Sequence, residues 1–440
     1  MQYYSLQKQS PNVDFRIAAI TGQAPDKGLY FPSEIPKFTA AQIENFKTLD
    51  KASLAFEVMR PYVGETIDDA TLKNICAETI NFDFPLVPIT DTISSLELFH
   101  GPTLAFKDVG ARFMSRCLGY FSKQARADKP NTVLVATSGD TGGAVANGFL
   151  GVTGVNVIIL YPKGKVSPIQ ELQLTTLGQN IIALEVEGSF DDCQAIVKEA
   201  FMDAELNAAY NLTSANSINV ARWLPQQLYY FFAWQQWVAK YQDNEGNYPA
   251  MNIVVPSGNF GNICAGMIAK ASGLPLGHFV AACNANDVVT RYMATEKYEV
   301  TPSVVTISNA MDVGNPSNFV RILEMMQNNF TTLSNALTSY SITDTDTKAT
   351  IARVYKTNNY ILDPHGAVAF IAAEKFLIAT DVRAVILETA HPVKFPEVVE
   401  EAIGQSLSIP ASVQNLFERE KVSIPLAPNY TAFKSWMLKK

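Results

Sequence analysis

The sequence predicts an α/β protein built as two doubly wound parallel-sheet lobes, with an extra, mostly helical unit at the N-terminus. Three observations lead there. Short apolar runs alternate with amphipathic segments, the rhythm of strands joined by helices. Glycine-rich turns sit where the strands end. The chain has 440 residues, enough for about two or three domains of ordinary size.

The clearest unit starts with a buried strand at 132–137 (TVLVAT). Residues 138–143 are its turn, a helix begins at Ala144, and 155–160 (VNVIIL) is the next strand. The pattern returns as strand 252–255, turn 256–262, helix 263–271 and strand 279–283. Later, strand 384–388 runs into 389–395. Such alternation implies parallel sheets covered by helices on both faces. A long helical stretch, 216–241, separates the two clusters. The expected divisions are 1–85 for the helical unit, 86–225 for the first lobe and 226–440 for the second. In open sheets of this kind, ligands bind beyond the carboxyl ends of the strands. Every motif below lies at such an end.

Composition excludes several classes. Charged residues make up 17% and hydrophobic residues 48%, so a large core is expected and broad disorder is not. A net charge of -8 argues against a nucleic-acid partner. The start, MQYYSLQKQS, has no apolar run after a basic one, so no signal peptide is expected. The most apolar central stretch, 229–239, contains Gln235 and Gln236 and is too short to span a bilayer. Five scattered cysteines suit a reducing cytoplasm. Four histidines, without HExxH or CxxC, make a metal site unexpected.

Chemistry concentrates in five segments. In FHGPTLAFKD (99–108), a strand at 95–99 ends at a Gly-Pro turn. A helix follows, with Phe113, Met114, Cys117, Leu118 and Phe121 on its apolar side. Lys107 stands at that helix start, where burial and the positive helix end both disfavour an ammonium ion. A neutral amine is what imine formation and proton abstraction need. Alone, Lys107 reads first as a lysine reaching from the first turn to water.

Ser138, Gly139, Asp140 and Thr141 form a glycine turn at a helix start, a general anion cradle. A dinucleotide fold would place an acidic residue after the next strand. That strand instead runs into Tyr161, Pro162 and Lys163, and no GxxxxGK[ST] occurs. NAD and Walker-type nucleotide enzymes are therefore disfavoured. Gly258, Asn259, Phe260, Gly261 and Asn262 make a second loop whose N–H groups suit a phosphate. Asn216, Ser217 and Arg222 lie in an apolar, amide-rich stretch. Arg222 fits bidentate phosphate or carboxylate binding and fits a structural ion pair equally. Thr389 ends a strand and offers a hydroxyl, while His391 reads as a loop histidine bonded to backbone.

Together these segments resemble threonine synthases of the bacterial and fungal type. HGPTLAFKD, TSGDTGGA, NSINVAR, PSGNFGNICAG, NANDVVTRY, DVGNPSNF, LDPHGA and ETAHPVKF stand in that family's order, and GLYFP (28–32) resembles its N-terminal unit. The resemblance covers nearly the whole chain. It implies the tryptophan-synthase-β-like fold of the fold type II pyridoxal-phosphate enzymes, and pyridoxal 5'-phosphate as cofactor.

By the same resemblance, Lys107 holds the cofactor as an imine and is the catalytic base. Gly258, Asn259, Phe260, Gly261 and Asn262 cradle its phosphate. Thr389 faces the pyridine nitrogen. The implied substrates are O-phospho-L-homoserine and water, giving L-threonine and phosphate in threonine biosynthesis, within the aspartate-family pathway. Ser138, Gly139, Asp140 and Thr141 would bind the α-carboxylate; Asn216, Ser217 and Arg222 would bind the substrate phosphate. Many members of the broader fold carry Asn where Asp140 stands. An ionised Asp140 would repel the cofactor's phenolic oxygen, so its partner stays open. A cytoplasmic monomer or homodimer, a lyase without nucleic-acid or membrane partners, is the expected whole. The alternatives are a β-eliminating or β-replacing relative, such as a serine/threonine dehydratase or a cysteine synthase, and a non-catalytic ligand-binding paralogue.

Overall fold

The computed structural model describes residues 1–125, 129–380 and 382–439. Its frame is two sheets. A six-stranded sheet runs in the order Leu337–Ser341, Leu276–Cys283, Met251–Pro256, Ala384–Glu388, Ile93–Glu97, Leu86–Pro88. All its neighbours are parallel except the edge pair Leu86–Pro88 and Ile93–Glu97. A five-stranded parallel sheet runs Ile424–Leu426, Ile181–Val186, Val155–Pro162, Asn131–Ala136, Asn211–Ser214.

Most expected strands and helices are present, with ends shifted by a few residues. The expected strand 132–137 spans Asn131–Ala136, and 384–388 is matched as Ala384–Glu388. The helix expected from Ala144 already starts at Asp140. The stretch 216–241 is interrupted. Val220–Trp223 is α-helical, Leu224–Gln227 is a 3-10 turn and Leu228–Tyr241 is again α-helical. Pro225 in the tight turn has no N–H to continue an α-helical ladder.

Sheet membership departs from the expected divisions at 86–225 and 226–440. The strand expected at 95–99 spans Ile93–Glu97 and lies in the six-stranded sheet, beside Ala384–Glu388. Four of its five residues are buried in the pattern BBBBi, so it needs neighbours on both edges and cover on both faces. Conversely, Ile424–Leu426 from the chain's end pairs with Ile181–Val186 in the other sheet. Neither sheet is one continuous stretch of sequence.

In the first 85 residues helices are the main regular structure, though they cover a little under half of the segment. Tyr3–Ser5 and Tyr30–Pro32 form a small antiparallel pair. Phe15–Thr21, Ala40–Phe46, Lys51–Val63 and Asp69–Thr79 are helices. Each has a side-chain cap: Asp14, Thr39, Asp50 and Asp68 accept from first-turn N–H groups.

Two helices position the site. In Lys107–Ala125, the residues Val109, Phe113, Met114, Cys117, Leu118 and Phe121 are buried. Their spacing makes one apolar stripe, which fixes the rotation of the helix and hence where Lys107 emerges. The helix Leu228–Tyr241 buries Tyr229, Tyr230, Phe231, Phe232, Trp234 and Trp237. Its first two turns are apolar all round because they are core, and no described helix is long and apolar enough to cross a membrane.

Candidate active site

Five segments leave carboxyl ends of parallel strands. Residues 98–106 follow Ile93–Glu97, 137–139 follow Asn131–Ala136, and 215–219 follow Asn211–Ser214. The other two, 257–260 and 389–391, follow Met251–Pro256 and Ala384–Glu388. The Lys107 and Thr389 segments are tied directly. The Phe106 N–H donates to the Thr389 carbonyl at 2.9 Å, and the His391 N–H to the Leu104 carbonyl at 3.0 Å. Two of the expected cofactor-binding segments thus share one hydrogen-bonded frame.

Lys107 is the first residue of its helix and is partly buried. Its amine makes no hydrogen bond or ion pair among the described residues. Desolvation lowers its pKa to about 8, opposed by the Asp140 carboxylate and aided by Lys394 and Arg222. The expected disfavoured ammonium is therefore present, and desolvation is its main cause.

Asp140 does have a partner. Its Oδ1 lies 2.7 Å from Lys394 Nζ and accepts from Gln170 Nε2 at 2.9 Å. Burial alone would raise its pKa. The charges of Lys394 and Lys107, with hydrogen bonds from Lys394 and Gln170, instead hold it down at about 2. Gly139, ahead of it, has φ 151, and a Cβ there would stand 2.6 Å from the Gln170 amide nitrogen. The turn thus needs glycine so that Gln170 can reach Asp140. Ser138 and Thr141 are partly exposed, with no side-chain hydrogen bond among the described residues.

At 257–262 the backbone bends through Phe260 in the left-handed region, φ 58, and a helix starts at Gly261. The N–H groups of Gly258, Asn259 and Phe260 donate to no protein acceptor among the described residues. Asn262 accepts from the Tyr230 hydroxyl at 2.6 Å, while its own buried Nδ2 has no partner. Unspent donors at a helix N-terminus are the chemistry of a phosphate cradle. A Cβ on Gly258 would lie 2.7 Å from the Met311 Cα. Because that neighbour is backbone, Gly258→Ala should displace the cradle. The expected result is at least about a tenfold weaker cofactor affinity, from losing one hydrogen bond to a charged group; equilibrium titration with the cofactor checks it.

Arg222 is buried, donates to the Ala215 carbonyl and leaves its Nε without a partner. It has no ion pair among the described residues, so of the two readings of this arginine the structural ion pair is absent. Burial lowers its pKa to about 10. Asn216 and Ser217 are partly exposed on the same segment. Thr389 is buried and its hydroxyl is unbonded among the described residues. His391 accepts from the Val393 N–H at 3.1 Å, the backbone-bonded histidine the sequence suggests.

Sequence reasoning missed four contributors. Lys394 and Gln170 hold Asp140. Arg321 is buried and donates to the carbonyls of Ser217, Ile218 and Tyr30, at 3.2, 2.6 and 3.0 Å. It therefore ties the 216–222 segment to the N-terminal unit. Behind Thr389, Glu388 is buried and accepts from the Asp363 N–H at 2.6 Å. Burial, then the Asp363 charge, raises its pKa well above the usual range. For Lys394 and Arg321 a signal existed: each is a lone cation in an apolar stretch, as Arg222 is.

The unspent N–H groups, the Gly258 cradle and the poised Lys107 fit a cofactor that carries an aldehyde and a phosphate. Comparisons agree. The model described as "Pyridoxal-phosphate dependent enzyme" matches residues 95–387. Models for the threonine synthase N terminus and C-terminal region match 2–80 and 366–437. The threonine synthase of Serratia marcescens is 39% identical, covering 100% of this chain and 99% of that protein. The threonine synthase structure from Escherichia coli superposes with TM-score 0.91 at 38% identity, covering 100% of both chains. That of pyridoxal-phosphate-bound threonine synthase from Brucella melitensis gives 0.93 at 35% identity, covering 99% of this chain and 98% of that one.

Fold and site thus define a fold type II pyridoxal-phosphate enzyme, a lyase. Within that class the chain belongs to the threonine synthase family.

Proposed function

We propose that the chain converts O-phospho-L-homoserine and water to L-threonine and phosphate. The observation that carries this reading is a buried cation close to Lys107 that is available to meet a second anion. Arg222 is a buried cation with no ion pair among the described residues, and it acts electrostatically on Lys107. A β-eliminating relative needs no second phosphate-binding cation.

When bound, pyridoxal 5'-phosphate supplies the electron sink that stabilises negative charge beside the substrate nitrogen. The rest falls to the chain. Gly258, Asn259, Phe260, Gly261 and Asn262 fix the cofactor phosphate with N–H groups and the free Asn262 amide. Thr389 meets the pyridine nitrogen with a hydroxyl. The helix start at Ser138–Thr141 receives the substrate α-carboxylate; Asp140 contributes its N–H, because its side chain is taken by Lys394 and Gln170. Arg222, Asn216 and Ser217 bind the leaving phosphate. Lys107 moves the protons: it takes one from the α carbon and one from the β carbon as the Cγ–O bond to phosphate breaks, and it returns one to the γ carbon, which becomes the methyl group, and one to the α carbon, while water's hydroxyl joins the β carbon and its remaining proton leaves with phosphate. One base at the helix start can serve these steps because the anion sites hold the carbon chain across it.

A reducing, cytoplasmic setting is part of the proposal. All five cysteines are free and buried, as expected of thiols kept by a reducing pool. The test is phosphate release from O-phospho-L-homoserine, with threonine identified as product. Deamination of serine or threonine without phosphate release would overturn the reading in favour of a dehydratase.

A further inference from the structure

Two lysines and one carboxylate lie close together in this site. Lys394 is wholly buried, with Nζ 2.7 Å from Asp140 Oδ1 and 2.8 Å from the Thr103 carbonyl oxygen. Thr103 belongs to the turn leading into Lys107. A buried ammonium is costly unless its charge is met, and the reaction proposed above gives Lys394 no task. We propose that Lys394 is a positioning residue that pins Asp140 as its own ionised counter-charge, so that Asp140 does not hold the proton of Lys107. This inference rests on Lys107 being the lysine that binds the cofactor.

The charges around each group make the argument. Lys107 faces Asp140, which favours its ammonium, and Lys394 and Arg222, which oppose it. Asp140 faces Lys394, Lys107 and the Gln170 amide. Asp108 and His391 also lie within electrostatic reach of Lys394. Seen from Lys107, Lys394 opposes the pull of Asp140, and desolvation, the largest influence, shifts the balance toward the neutral amine. Take Lys394 away and Asp140 keeps Lys107 as its remaining buried cation. The shared proton lodges on Lys107, because an amine is far more basic than a carboxylate. Only the neutral amine attacks an aldehyde. Lys394 thus sets the fraction of Lys107 that is reactive near neutral pH.

Lys394 differs from Lys107 in a way that makes the roles non-interchangeable. Its amine is spent on Asp140 and Thr103, whereas that of Lys107 makes no hydrogen bond or ion pair among the described residues. The Gln170 amide on the same Asp140 oxygen keeps the carboxylate from swinging toward Lys107.

The experiment follows the visible band that grows when cofactor-free protein is mixed with pyridoxal 5'-phosphate, across a pH series. In the unaltered protein the rate should climb through a midpoint near 8. Lys394→Met should move the midpoint up by about one unit or more, which is about tenfold slower band growth below it. Lys394→Arg should restore much of the rate. The double variant Lys394→Met with Asp140→Asn should return the midpoint to the original position or below, since no carboxylate remains to hold the proton. Asp140→Asn alone should lower the midpoint.

A purely structural role would slow every variant without moving the midpoint, and a second substitution would not rescue the first. The proposal is overturned if Lys394→Met keeps the original midpoint, or if the double variant matches Lys394→Met. Should Lys394→Met lose its circular-dichroism signature of folding, Asp140→Asn decides alone, and an unmoved midpoint there overturns the proposal. If the unaltered protein grows no band, the assignment of Lys107 to the cofactor has failed instead, which is a separate result.

Discussion

Lys107→Ala should abolish the visible band of the cofactor-bound protein and reduce turnover by on the order of 10⁴-fold or more. Two losses combine in this substitution. The amine that anchors the cofactor disappears, and with it the proposed catalytic base at the start of the helix Lys107–Ala125. The fold should survive. Lys107 makes no hydrogen bond or ion pair among the described residues, and the helix is held by the buried stripe from Val109 to Phe121. Thermal unfolding of the cofactor-free proteins should differ little. A variant that keeps the band would show that another amine binds the cofactor, and the buried Lys394 is the first candidate.

Arg222→Met should leave the protein at least as stable while crippling it toward a phosphorylated substrate. Arg222 is a buried cation with no ion pair among the described residues, and its Nε is unsatisfied. Replacing such a group by an apolar side chain of similar length removes a desolvation cost, and comparable replacements are neutral or stabilising. Against that stands one lost bond to the Ala215 carbonyl. Binding tells the opposite story. A charged, bidentate contact to phosphate is worth about 3–4 kcal/mol, taking two hydrogen bonds to a charged group at the lower end of their usual strength. We therefore expect kcat/KM for O-phospho-L-homoserine to fall by about 10²–10³-fold. Steady-state kinetics beside a thermal melt checks both halves. A destabilised protein with unchanged kcat/KM would mean that Arg222 is a structural residue.

The parts of this molecule that were legible in its sequence are local. A strand, a glycine turn and a helix start occupy some ten consecutive residues at 132–144, and the pattern fixes them without reference to the rest of the chain. Lys107 alone reads as a lysine reaching to water, and it takes on a chemical role only beside the other segments. Sheet membership was not legible. Parallel neighbours come from distant sequence, so nothing near 93–97 says that this strand lies beside Ala384–Glu388 and not in the lobe that follows it. The partner of Asp140 was hidden for the same reason. Lys394 sits just beyond Ala384–Glu388 of one sheet and Asp140 just beyond Asn131–Ala136 of the other, and only the folded chain brings the two together. The sequence raised the right difficulty, an ionised carboxylate where repulsion is expected. Only the three-dimensional pairing resolves it. Arg321 is a similar case: its acceptors Tyr30, Ser217 and Ile218 come from two other regions of the chain.

Borohydride reduction of the cofactor-bound protein, followed by peptide mapping, tests the central claim most directly. Reduction fixes the cofactor irreversibly on whichever amine holds it. The pyridoxyl group should appear on Lys107, in the peptide containing HGPTLAFKD, and the visible band should vanish in step. A pyridoxyl group on Lys394, or on any other lysine, would contradict the account.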